Sequence, residues 1–156
     1  MLNYLKILLI AGVAAICSFG ACNKGKAEEP PQTQTTLFER LGGIDTISAL
    51  VDQFIVNIAG DETINTRFAP TISDPARARL FRLNLIDQIC AGSGGPCTYK
   101  GLTMKAAHKE MNITQAEFDA LVGDLVSALD QLNVGEIEKK ELLRILGPMQ
   151  AEIVSR

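Results

Sequence analysis

From residue 36 onward, apolar side chains recur at three- and four-residue steps, the period of helices buried along one side. Thr36-x-x-Glu39 has the form of a capping box, and Leu37, Phe38 and Leu41 follow it before Gly42-Gly43 ends a short first helix. Ile44, Ile47, Leu50, Val51, Phe54, Ile55 and Ile58 then mark a strongly amphipathic helix that should stop at Gly60. A short turn holds Ile64 and Phe68. Ser73-Asp74-Pro75 offers a cap and a first-turn proline for a third helix through Leu80, Phe81, Leu85 and Ile89, ending at Gly92. The stretch GSGGPCTYKG, residues 92 to 101, permits loop conformations and no regular element.

Beyond that loop, Met104, Ala107, His108 and Met111 stand at i, i+3, i+4 and i+7 of a brief helical pattern, which places the single histidine on an apolar face between two thioethers. Thr114-x-x-Glu117 opens a long helix whose apolar side is Phe118, Leu121, Val122, Leu125, Leu129 and Leu132. After Asn133-Val134-Gly135 turns the chain, Leu142, Ile145, Leu146, Met149 and Ile153 form a last stripe. It crosses Gly147-Pro148, where a kink is expected. No strand pattern remains, so the expected fold class is all-α.

The amino-terminal part follows another logic. Met1 to Lys6 carries one positive charge, and Ile7 to Ile16 is an apolar run too short to span a bilayer, as in a signal-peptide core. Ser18-Phe19-Gly20-Ala21-Cys22 resembles the lipobox of bacterial lipoproteins, which implies cleavage before Cys22 and acylation of that residue. An ordinary secretory signal cut near Ala21 is the alternative, and either reading exports the protein to the periplasmic side of a bacterial membrane. Residues 22 to 35 are polar, contain Pro30-Pro31 and lack large apolar side chains, so they read as a tether. The expected organisation is a signal peptide at 1–21, a tether at 22–35 and one folded domain at 36–156.

Composition narrows the chemistry. Lys6 is the only charge in residues 1–21, so removing them takes 15 basic residues to 14 against 18 acidic, and the net charge from -3 to -4. No basic cluster is present, which argues against a nucleic-acid partner. One histidine and no tryptophan exclude every multi-histidine metal site. By default an inward-facing histidine is a structural residue hydrogen-bonded to a neighbour. Its functional alternative is haem, whose porphyrin supplies four nitrogens and needs a single axial imidazole, whereas zinc demands three or four protein ligands. Tyr99, Lys100 and Lys105 lie close in sequence to His108, where they would meet the carboxylate edge of a haem.

The segments LFERLGGIDTI, GGPCTYKGLTMKAAHKEMNIT, FDALVGDLVSALDQLNV and ELLRILGPMQAEIV together resemble the group I truncated haemoglobins from Thr36 to Val154. The most specific piece is Tyr99-x-Gly101-x-x-Met104-x-x-Ala107-His108-x-x-Met111, which looks like the family's proximal segment. Gly42-Gly43 and Gly94-Gly95 match its two glycine motifs. The resemblance implies a two-over-two helical sandwich enclosing haem b, with His108 as proximal ligand and Phe54, Phe68, Phe81, Leu85, Tyr99, Met104, Lys105 and Met111 around the cofactor. Phe68 matches a phenylalanine packed on the haem, and Tyr99 a tyrosine near a propionate. Phe54 matches the aromatic residue before the family's usual distal tyrosine, but Ile55 stands in place of that tyrosine. With Phe81 and Leu85 it implies a distal pocket without a hydrogen-bond donor, unless Asn84 or Gln88 turns inward.

Cys90 and Cys97 remain after processing. Their spacing is neither a CxxC motif nor a haem attachment site, and they read either as inert thiols or as a disulfide across a short loop. The expected function is reversible binding of a diatomic gas, with an unidentified reductant as partner and a lipid anchor in the membrane. Nitric oxide oxidation by the same pocket, and a haem-free helical module that binds an envelope partner, are the rival readings.

Overall fold

The computed structural model describes residues 35–154. The expected leader, Cys22 and all but the last residue of the tether lie outside them. Eight α-helices make up the described part: α1 (Leu37–Arg40), α2 (Gly43–Gly60), α3 (Asn65–Ile72), α4 (Pro75–Gly92), α5 (Met104–Ala107), α6 (Gln115–Gln131), α7 (Glu136–Leu146) and α8 (Gln150–Ile153). Among the described residues, β structure is limited to a single isolated bridge between Ile113 and Val154. Both capping boxes form, with Thr36 and Glu39 closing the start of α1 and Thr114 and Glu117 that of α6. The Asp74 carboxylate accepts from the amides of Ala76 and Arg77 at the start of α4, one residue before the first-turn proline.

The long helices make two crossed layers. α2 packs against α4 and against α6, and α7 closes on α1 and α4. The centre is aliphatic: Ile47, Leu50, Val51 and Ile58 of α2 meet Ile64, Leu129 of α6 and Leu142 of α7, all essentially excluded from solvent. Each contributes roughly 1.5–3 kcal/mol by leaving water. Arg40 ties the first helix to α7 through Glu138 and Glu141.

Three local readings change. The segment holding Phe68 is an eight-residue helix, not a turn, although Pro70 lies inside it. Its packing against α2 and α4, with the Phe68 and Phe81 ring centroids 5.6 Å apart, outweighs a sequence that is poor in helix signals. α5 is shorter than its apolar spacing suggests, because the chain leaves the helix at His108 and passes through Glu110 at φ 63° and Asn112 at φ 50°. Two left-handed residues cannot continue a right-handed helix. At Gly147-Pro148 the expected kink takes the form of a 3₁₀ turn over Gly147–Met149 that separates α7 from α8.

Gly95 sits where the loop after α4 folds back on the first helix. A Cβ added there would lie 2.5 Å from Cδ2 of Phe38 and 2.7 Å from Sγ of Cys90, whereas one added at Gly123, midway along α6, meets nothing within 4 Å. Gly95→Ala should therefore lower the free energy of unfolding by about 1–3 kcal/mol through overpacking. Gly123→Ala should raise it by roughly 0.5–1 kcal/mol, because alanine restricts the unfolded chain and suits a helix interior. Urea denaturation of both variants checks the pair, and equal effects would contradict the packing described.

Candidate functional site

A cavity of about 590 Å³ opens beside the aliphatic core, lined from α2, α3, α4, α5, α6 and the chain from α7 to α8. Its volume falls within the roughly 300–1,000 Å³ typical of cofactor and ligand sites. α4 turns one face to it, with Phe81, Asn84, Leu85 and Gln88 at i, i+3, i+4 and i+7; Ile86 and Cys90 are buried on the core side, and Ile89, also buried, reaches the lining from the border of the two. Phe54, Phe68 and Phe118 add aromatic surface from three other helices. Because α4 is apolar on more than one side, its periodicity alone does not say which side meets a ligand.

His108 lines this cavity from the end of α5 and is half-buried. Its Nδ1 lies 2.7 Å from the carbonyl oxygen of Met104, one turn back. A carbonyl can only accept, so this hydrogen bond requires the proton on Nδ1, and in the neutral ring Nε2 is then the nitrogen with the lone pair. That is the state in which an imidazole binds a metal, with the second nitrogen oriented by a backbone acceptor. Met104 and Met111 also line the cavity, Met104 from α5 and Met111 from the loop beyond it, where it is 39% exposed.

Phe54, Phe68, Phe81, Leu85, Tyr99, Met104, His108 and Met111 all border the one cavity. Ile55 does not. It is half-buried and packs against the core cluster, since one residue along a helix turns the side chain by about 100° from the direction of Phe54. Lys105 is exposed and outside the lining, and its backbone amide donates to Glu152 Oε2 at 3.3 Å. Lys100 is likewise exposed. Tyr99 borders the cavity, but its hydroxyl donates to the carbonyl of Leu102 at 2.8 Å, so its only proton is engaged within the loop. Asn84 and Gln88, the two residues expected to supply a donor if they turned inward, both border the cavity. Gln88 Nε2 rests on two thioethers, 2.9 Å from Sδ of Met149 and 3.6 Å from Sδ of Met104. Sulfur is a weak acceptor, so these N–H groups are lightly held.

Three charged residues, Arg67, Glu117 and Asp119, line the cavity without having been placed there by the sequence. Arg67 of α3 directs Nε and Nη2 to Oε1 of Glu117, at 2.8 and 2.6 Å, and Nη1 to the carbonyl of Met111 at 2.8 Å. Glu117 was legible as a helix cap, but a partner 50 residues away leaves no local signal. Cys90 and Cys97 are joined in a disulfide, with Cα atoms 5.7 Å apart, linking the end of α4 to the loop that carries Tyr99.

The residues present fit a haem. An apolar, aromatic-lined cavity suits a flat macrocycle, and one imidazole lining it would be enough for the single protein ligand that a porphyrin requires. Helical sandwich, cavity and lone histidine together define a globin-type protein. The family model for bacterial-like globins matches residues 36–155. The group 1 truncated haemoglobin of Tetrahymena thermophila is 33% identical over 104 residues, covering 66% of this chain and 81% of the relative. The corresponding GlbN protein of Nostoc sp. strain MUN 8820 is 30% identical over 122 residues, 78% of this chain and 99% of the relative. The crystal structure of the truncated haemoglobin from Tetrahymena pyriformis in its Fe(III) form superposes with a TM-score of 0.70 at 26% identity, covering 78% of this chain and all of that one. The 2/2 haemoglobin of Synechococcus sp. PCC 7002, solved in the cyanomet state with covalently attached haem, gives 0.70 at 27% identity over the same shares. The chain belongs to the group 1 truncated haemoglobins, and its helices form their two-over-two sandwich.

The Thr114 backbone amide, followed by the Arg67 side chain and the Thr114 hydroxyl, holds the Glu117 carboxyl down to about 2, from an ordinary value of 4.5. A carboxyl lowered in the folded state contributes its stability above the unfolded value and loses it as pH falls from there toward 2. The melting temperature should accordingly drop between pH 5 and pH 2. Glu117→Gln should melt lower than the wild type at pH 7 and show a smaller acid drop. Parallel melting curves of the two proteins against pH would contradict this.

Proposed function

We propose that this protein is an exported haem b protein that reversibly binds a diatomic gas such as oxygen, nitric oxide or carbon monoxide, with His108 as its one protein ligand to iron. The observation that carries the reading is the bond from His108 Nδ1 to the Met104 carbonyl, which in the neutral ring leaves the lone pair on Nε2 of a side chain lining the cavity. When bound, haem would supply an iron centre that takes up a small gas, with the His108 imidazole as the protein's ligand to it. The side chains of the cavity bind and orient that group. Phe54, Phe68, Phe81 and Phe118 give its apolar body a dry setting, and Met104 and Met111 line the same cavity. On the α4 face of the cavity, Asn84 and Gln88 are neutral amide donors, able to favour a gas that gains negative charge over one that does not. The family membership supports haem as the cofactor.

Export is supported by the disulfide between Cys90 and Cys97, a bond that persists in oxidising compartments. The charged start, apolar run and Gly20-Ala21-Cys22 end support a lipid anchor on Cys22. Acyl chains bound there would add about 0.8 kcal/mol of membrane affinity per buried methylene.

His108→Ala should abolish or greatly weaken haem retention and the Soret band, and free imidazole should partly restore the spectrum. An unchanged spectrum and haem content would reject the assignment, because the chain has no second histidine to substitute. Cys22→Ser should release the protein from the membrane fraction and end incorporation of labelled fatty acid. Wild-type protein that takes up no label, with unaltered fractionation of the variant, would remove the anchor.

A further inference from the structure

The chain that follows His108 has little regular structure of its own. Between α5 and α6 it passes through two left-handed residues, Glu110 and Asn112, and only asparagine tolerates that conformation readily. Met111 lies between them, and its amide bonds back to the His108 carbonyl at 3.1 Å. Its own carbonyl accepts Nη1 of Arg67 from a different helix, at 2.8 Å. The rest of that guanidinium is fixed by Oε1 of Glu117, while Oε2 of Glu117 accepts from the Thr114 amide and hydroxyl at 2.8 and 2.9 Å. One rigid fork thus connects α3, the cap of α6 and the strained loop that carries the histidine.

The geometry points to Arg67, held by Glu117, as a positioning residue for His108: it clamps the Met111 carbonyl and so sets the orientation of the imidazole toward the cavity. This inference rests on the haem reading for its consequence and on the hydrogen bonds alone for its geometry. Arg67 borders the cavity, where a haem carboxylate would be a rival partner for its guanidinium. Three of its five N–H groups are already engaged within the protein, in directions fixed by the planar fork. Lysine cannot reproduce that arrangement, because its ammonium is a single point donor on a flexible stem. Glutamine at 117 keeps an oxygen for Arg67 but loses the charge.

The test compares wild type, Arg67→Ala, Arg67→Lys and Glu117→Gln in three measurements. In haem-free protein, NMR reads the imidazole of the only histidine and the amide exchange of Met111 to Ile113. The clamp predicts shifted His108 resonances and faster exchange in Arg67→Ala, partial effects in Arg67→Lys, and the smallest in Glu117→Gln. In loaded protein, transfer of haem to an acceptor apoprotein should be about tenfold faster for Arg67→Ala, the lower end of what outer partners of a metal ligand contribute. The iron–histidine stretching band of the ferrous form should shift with it. Repeating the transfer with haem whose two carboxylates are methyl esters separates the roles. A clamp gives the same ratio of rates with both haems, whereas an effect confined to the free acid makes Arg67 a carboxylate partner and overturns the inference. Unaltered His108 resonances and exchange in all variants also overturn it. If Arg67→Ala does not fold, the other two variants carry the comparison. If wild type takes up no haem, the proposed function fails, while the NMR measurements still decide the clamp.

Discussion

If His108 holds haem iron as proposed, the chemistry depends first on the hydrogen bond between its ring and the carbonyl of Met104. With one imidazole in the chain, everything depends on which nitrogen is available and where it points. A four-residue helix ending at the histidine supplies a carbonyl one turn back, at the distance where it accepts from Nδ1 and, in the neutral ring, leaves the lone pair on Nε2. A longer helix would carry Met111 onto the same face. The chain instead breaks at His108, and the ring keeps its backbone partner at the boundary between helix and loop.

That arrangement has a structural cost, since the segment from Thr98 to Thr114 holds only four α-helical residues and lies beside a large cavity. Long-range contacts hold it. The Cys90–Cys97 disulfide fastens the entry of the loop to α4, the Tyr99 hydroxyl closes on Leu102, and the isolated bridge between Ile113 and Val154 pins the exit. Gly95 allows the loop to approach Phe38 and Cys90 more closely than any side chain would permit. The four crossed helices provide the aliphatic core, and these contacts hold the loop to them.

The long elements were readable because burial imposes a period. Ile47, Leu50, Val51, Phe54 and Ile58 announce α2 and its inner face, and both Thr-x-x-Glu boxes mark real helix starts. His108 stood out because it was alone and flanked by thioethers. What escaped reading was set by tertiary contact. α3 has a proline and no fully buried side chain, so nothing local distinguishes it from a turn. Ile55 looked like a cavity residue from its alignment with a distal tyrosine, yet it packs against the core cluster outside the lining. Asn84 and Gln88 were legible only as an alternative, because the resemblance put their neighbours Phe81 and Leu85 at the cofactor and the packing brings all four to the cavity. Arg67 and Glu117, 50 residues apart, meet only after the helices have crossed.

A crystal structure of the haem-loaded protein, at a resolution that separates the two nitrogens of the imidazole, tests the central claim most directly. The account predicts iron bonded to Nε2 of His108 in this cavity, with Nδ1 still donating to the carbonyl of Met104. Iron bonded to Nδ1 or to another side chain, or haem lying outside the cavity, would contradict it.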